Sequence, residues 1–131
     1  MKRIALDTNA YSALGAGNQD IAAMVQAAQS VGLPIVVMGE LYFGIYNGKK
    51  QSENHARLER FIGVDRVEIL QCNEQTAQIF GEIATELKTI GKPIQQNDIW
   101  IAALCKQYGY SLVTQDSGFD NIVGLHTIPF A

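Results

Sequence analysis

Cysteine, histidine and proline are scarce in these 131 residues, with two, two and three copies. Cys72 and Cys105 stand alone, with no Cys-x-x-Cys pair and no Cys/His spacing of the zinc-binding kind. Neither a disulfide framework nor a zinc module is therefore indicated. Long apolar runs are missing too. The stretch "PIVVMGELYFGIY" is interrupted by Gly39, Glu40 and Gly44, so it falls short of the roughly 18 apolar residues of a membrane span. No leader segment is visible before the first strand, and a cytoplasmic protein with no membrane partner is expected. Glycine-rich phosphate loops of the GxxxxGK[ST] type are absent, which argues against nucleotide hydrolysis. No repeat, low-complexity tract or Pro/Gly/Ser-rich linker divides the chain. One domain over residues 1–131 is expected, long enough to bury a core without staples.

What is present is ordinary for a folded protein: 47% hydrophobic and 18% charged residues, unlike a disordered segment. Ile4, Ala5 and Leu6 read as a short buried strand, with a helix-like run from about Tyr11. Ile21, Met24, Val25, Ala28 and Val31 share one helical face over 20–31, with Asp20 as its cap and Gly32 and Pro34 as stops. "PIVVM" (34–38) then reads as a buried strand, and Glu40 opens another helix-prone stretch. Helices are predicted over 53–62, 74–90 and 97–109, with Asn97 capping the last and Gly109 ending it. Strands are predicted at 66–70 and 111–114. Strands separated by helices imply a parallel sheet covered on both faces, hence the α/β class.

On that map, acids fall at the ends of strands. Asp7 follows "IAL", Glu40 follows "IVVM" and Asp116 follows "SLVT" by two residues, while Asp98 lies in the first turn of the helix leading to "SLVT". Ligands of open α/β sheets bind beyond the carboxyl ends of the strands. Each acid also has a purely structural reading: Asp7 as a helix cap, Glu40 and Asp98 as first-turn residues favoured by the helix dipole, Asp116 as a turn aspartate. Only the shared sheet edge favours a common role. Four carboxylates gathered there repel unless a cation holds them, and hard oxygen donors suit Mg2+ or Mn2+. Five of the ten basic residues, Lys49, Lys50, Arg57, Arg60 and Arg66, fall within eighteen positions, a candidate basic margin despite the net charge of −3.

The blocks "LDTNAYSAL", "GELYFGI", "PIQQNDIWIAALCKQYG" and "LVTQDSGFDNIVGL" occur in the order found in PIN-domain proteins. The chain resembles especially the VapC-type ribonuclease toxins of bacterial toxin–antitoxin pairs, from residue 4 to about 128. That resemblance implies a five-stranded parallel sheet flanked by helices on both faces, with Asp7, Glu40, Asp98 and Asp116 as the acids. Asp120 stands near enough to share or replace the role of Asp116. Thr8, Asn9 and Thr114 match residues that orient the carboxylates through hydrogen bonds.

The expected activity is Mg2+- or Mn2+-dependent hydrolysis of RNA phosphodiester bonds, with Asp7 and Asp98 as first-choice ligands and Glu40 and Asp116 completing the site. Expected partners are an RNA substrate, a small antitoxin protein and a second copy of the chain. The aromatic stretch "LYFGIY" (41–46) is a candidate interface as well as core. A receiver domain would want an acidic pair after the first strand and a Lys after the last, and a haloacid-dehalogenase-type phosphatase a second Asp where Asn9 stands. The competing reading is a catalytically inactive PIN-like module that binds RNA or protein.

Overall fold

The computed structural model describes residues 2–131. Strand β1 (Arg3–Leu6) buries Ile4, Ala5 and Leu6 and runs directly into α1 (Thr8–Gly15) and α2 (Gln19–Ala27). β2 (Ser30–Pro34), α3 (Ile35–Tyr46), α4 (Gln51–Ile62) and β3 (Val67–Leu70) follow. The chain continues through α5 (Glu74–Thr89), α6 (Gln96–Tyr108) and β4 (Ser111–Val113), then a 3-10 turn (Ser117–Asn121) and β5 (Thr127–Ile128). The five strands form one parallel sheet in the order β3-β2-β1-β4-β5.

Period-two alternation sends neighbouring residues of the central strands to opposite faces. Ile4 and Leu6 of β1 and Val113 of β4 join Ala10 of α1, Ile21 of α2 and Ala28 just past α2 in one core. Ala5 and Leu112 join the buried residues of α3, α5 and α6 in the other. Both faces are thus covered, as a parallel sheet requires. On the larger face, Phe80 of α5 packs on Trp100 of α6 with ring centroids 4.2 Å apart.

The second strand lies earlier than the sequence predicts. β2 comprises Ser30–Pro34, and "IVVM" forms the first turn of α3 instead of a strand. A run of β-branched residues favours a strand locally, but here Val37, Met38, Leu41 and Ile45 are buried together along one helix, and tertiary burial overrides the propensity. Gly32, expected as a helix stop, is instead a strand residue at a close approach. A Cβ there would lie 3.0 Å from both Leu70 Cδ1 and Tyr110 Cε2. Consequently Glu40 does not follow a strand; it stands in the second turn of α3.

Two caps also differ. Asn18, not Asp20, caps α2 by accepting from the Ile21 N–H at 3.0 Å. Gln95, not Asn97, precedes α6 and makes no side-chain cap bond. Gly109 does end α6, at φ 74°, a conformation that glycine adopts without steric cost. The C-terminal residues are tied back: Asn18 Nδ2 donates to the Ala131 carbonyl at 2.7 Å, and Gln115 Nε2 to that of Phe130 at 3.3 Å.

Candidate active site

The chain builds outward from β1 through β2 and β3, then returns to lay β4 and β5 on the other side. Such a reversal leaves a crevice beyond the carboxyl ends of the two strands where it occurs, here β1 and β4. Asp7 is the first residue past β1, and Asp116 the third past β4. The Asp7 N–H extends the ladder by reaching the Val113 carbonyl at 3.5 Å.

Asp7 is a buried acid, 7% exposed. Its Oδ1 accepts from the Ala10 N–H at 2.8 Å and caps α1. Cap and site acid are therefore the same residue. Burial is the main cause that pushes its pKa up, and the charges of Asp116 and Glu40 push the same way. The Thr114 hydroxyl and the Ala10 N–H act in the opposite direction. Asp98, half-buried in the first turn of α6, also has its pKa raised, first by burial and then by Asp116, Glu40 and Asp7. Asp98 thus lies within electrostatic reach of the other three acids, and Asp7 within reach of Asp116 and Glu40.

Glu40 is half-buried and accepts from the Thr8 hydroxyl at 2.7 Å, which ties the start of α1 to α3. Asp116 is exposed and accepts from the Gly118 N–H at 2.8 Å, while its own N–H donates to Thr114 Oγ1 at 3.0 Å. Thr114, 4% exposed, thus serves two acids from one buried position. Asp120 accepts from the Thr127 hydroxyl at 3.3 Å and is not among the charges that act on Asp7 or Asp98. Asn9 is exposed. Beneath the site, burial and then the Asp7 charge push the Cys105 thiol up to about 12, which leaves it protonated and inert at neutral pH.

Neither histidine joins this group: His55 pairs with Glu59 on α4 at 3.2 Å, and His126 Nδ1 contacts Ser111 Oγ at 2.8 Å. Of the basic cluster, Arg66 is committed to structure, donating to the carbonyls of Val25 and Ala28 at 2.9 and 2.6 Å. Arg57 was not separable from its neighbours by sequence. It lines a groove that also contains Thr8 and Glu40.

Among the described residues, no three carboxylates, histidines or cysteines form a ready-made cation cage. The donor set still fits a hard, water-rich ion. It consists of carboxylates, two of them raised in pKa by burial and mutual repulsion. Mg2+ typically keeps several waters and uses only one or two carboxylates.

A model of the PIN domain matches residues 4–125. Toxin FitB of Neisseria gonorrhoeae is 34% identical over 123 residues, covering 88% of each chain. Ribonuclease VapC2 of Haemophilus influenzae is 34% identical over 93 residues, covering 70% of this chain and 69% of that protein. Among solved structures, VapBC2 from Rickettsia felis bound to a promoter DNA fragment superposes with a TM-score of 0.88 at 25% identity, over 98% of this chain and 99% of the matched one. The acids beyond the carboxyl ends of β1 and β4 are thus set in a known frame: this chain belongs to the PIN-domain family, and its relatives there are toxins of the VapC and FitB type.

Proposed function

We propose that this chain is the toxin of a toxin–antitoxin pair and hydrolyses RNA phosphodiester bonds with the help of Mg2+ or Mn2+. The observation that carries the reading is the placement of Asp7 and Asp116 just beyond the adjacent strands β1 and β4, with Asp98 in the first turn of α6 and Glu40 tied to the start of α1 by the Thr8 hydroxyl. Asp7 and Asp98 are assigned as direct ligands: Asp7 is buried at the end of β1 and Asp98 half-buried in the first turn of α6, so each is an acid held out of water where an ion would offset its charge. Glu40 and Asp116 complete the site directly or through water. When bound, the ion supplies an acidified water and positive charge against the phosphoryl oxygens.

The chain's own residues do the positioning. Thr8 fixes one Glu40 oxygen and leaves the other free. Thr114 holds the backbone of Asp116 beside the Asp7 carboxylate. Such outer hydrogen bonds orient ligands and set their basicity. Asp116 is preferred to Asp120 as the fourth acid, since only the former acts on Asp7 and Asp98.

A small antitoxin and a second copy of the chain are the partners proposed, in a cytoplasmic setting. Among the described residues, no helix is long and apolar enough to cross a membrane. The α3 surface supports a protein partner: Phe43 and Tyr46 are 72% and 59% exposed, and Tyr46 stacks on Tyr42 with centroids 6.0 Å apart. Exposed aromatics of this kind are enriched at interfaces.

Product chemistry tests the mechanism. Attack by water leaves 5′-phosphate and 3′-hydroxyl ends, whereas attack by the substrate's own 2′-hydroxyl leaves 2′,3′-cyclic phosphates. Cyclic ends on the products overturn the proposal.

A further inference from the structure

Thr8 and Glu40, joined by their hydrogen bond, line a groove that has no part in the chemistry described above. The groove, of about 280 Å3, lies between α1, α3 and α4. That is just below the roughly 300–1,000 Å3 of pockets that enclose whole small-molecule ligands, and it suits a single nucleotide unit. Leu41 and Ile45, each 8% exposed, give it an apolar floor. Tyr11 adds a ring braced edge-on by Phe61, with centroids 5.3 Å apart. Ser12, Asn54 and Arg57 supply polar groups.

Arg57 is only loosely engaged. Its Nη2 lies 3.8 Å from Glu53 Oε1 and its Nη1 donates to Asn54 Oδ1 at 3.5 Å, both at the long limit of such contacts. Among the described residues it makes no ion pair with Glu40, which lines the same groove. Nor is it among the charges that act on Asp7 or Asp98. A guanidinium held beside a negatively charged site, and not consumed by it, is suited to an anion that spans both.

We infer that this groove is a nucleotide subsite, in which Arg57 binds a phosphate adjacent to the one cleaved and Tyr11, Ser12 and Asn54 receive its base or ribose. The inference rests on the RNA-cleavage reading above and assigns the part of the substrate that reading leaves open. The planar fork of arginine matches phosphate oxygens in a way lysine does not. An aromatic ring accepts any base by stacking, while the serine hydroxyl and the asparagine amide can read base edges or a 2′-hydroxyl. Because one RNA strand carries both phosphates, a contact at Arg57 also sets which phosphate reaches the acids.

Binding tests this apart from cleavage. A fluorescently labelled single-stranded RNA of about a dozen nucleotides, within the range of single-strand site sizes, is titrated in Mg2+ against Asp98→Asn protein, so that the probe stays intact. Arg57→Gln is compared in that background with Lys88→Gln, which removes the same charge outside the groove, with thermal melts confirming equal folding. The expected result is a loss of about tenfold or more for Arg57→Gln, with a salt slope shallower by roughly one contact, partial recovery in Arg57→Lys and a change within about twofold for Lys88→Gln. Equal affinities and slopes for Arg57→Gln and Lys88→Gln overturn the subsite, and point to a protein segment as the groove's occupant. The nuclease reading fails on a different result, absence of metal-dependent cleavage by the unaltered chain.

Discussion

The hydroxyl of Thr8 donates to Glu40 Oε1 at 2.7 Å across thirty-two positions of sequence. This bond joins the residue after the Asp7 cap to the second turn of α3, and so couples two acids that arrive on different elements. Removing it should disturb the site more than the fold. Thr8→Val is expected to lower metal affinity or cleavage rate by roughly 10- to 100-fold, at a stability cost of about 1 kcal/mol. Thr8→Ser should restore most of the activity. Metal titration, single-turnover cleavage and a denaturant melt measure all three.

Asp7 caps α1 and is proposed to hold the ion, and two substitutions separate these roles. Asparagine is as good a helix cap as aspartate, whereas alanine forfeits about 1 kcal/mol of capping. Both Asp7→Asn and Asp7→Ala should abolish cleavage, and Asp7→Ala should be the less stable of the two by about that amount. Equal stability of the two variants would mean that the bond to the Ala10 N–H contributes nothing.

The raised pKa values of Asp7 and Asp98 carry a sign for stability. A carboxyl whose pKa is higher in the folded state binds more protons there than in the unfolded chain. The metal-free protein should then lose stability as pH rises from the ordinary carboxylate range through the raised folded values. Asp98→Asn, which removes one such group, should raise the metal-free melting temperature at neutral pH and flatten its pH dependence. Added Mg2+ or Mn2+ should stabilise the unaltered chain increasingly as pH rises, since binding displaces protons. Melts from pH 4 to pH 8, with and without the ion, check both trends.

Gly32 sits inside the sheet, paired with Ala5 of β1 two residues before Asp7. A methyl group there would meet Leu70 and Tyr110 side-chain carbons at 3.0 Å. Gly32→Ala should cost about 1–3 kcal/mol of stability through overpacking, with little change in turnover below its melting temperature. A neutral substitution would show that Tyr110 yields freely.

The legible parts of the fold were those where local pattern and tertiary need agree. Ile4–Leu6 is a buried strand on both readings, and the helix up to Gly109 ends where a residue with positive φ requires it. The placement of Asp7, Asp98 and Asp116 near one sheet edge followed from such elements. Glu40 reached that edge by another route, because the strand propensity of Ile35–Val37 conceals a helix whose buried face is defined only by its partners. β5 has just two residues, Thr127 and Ile128, too few for alternation to show. Asn18 and Asp20 are both good caps in sequence, and only the bond to the Ile21 N–H distinguishes them. The Arg57 groove needs three helices packed together, so no spacing along the chain announces it.

The role proposed for Asp7 and Asp98 is to hold the divalent ion on which RNA cleavage depends. Its most direct test is incubation of the purified protein with total cellular RNA in Mn2+, Mg2+ or excess EDTA, beside an Asp7→Asn/Asp98→Asn double variant shown to be folded. Discrete cuts bearing 5′-phosphates, seen only with the divalent ions and only in the unaltered chain, are the predicted result. Identical behaviour of the two proteins in all three conditions contradicts it, and leaves Asp7 a helix cap in a PIN-like module that binds without cutting.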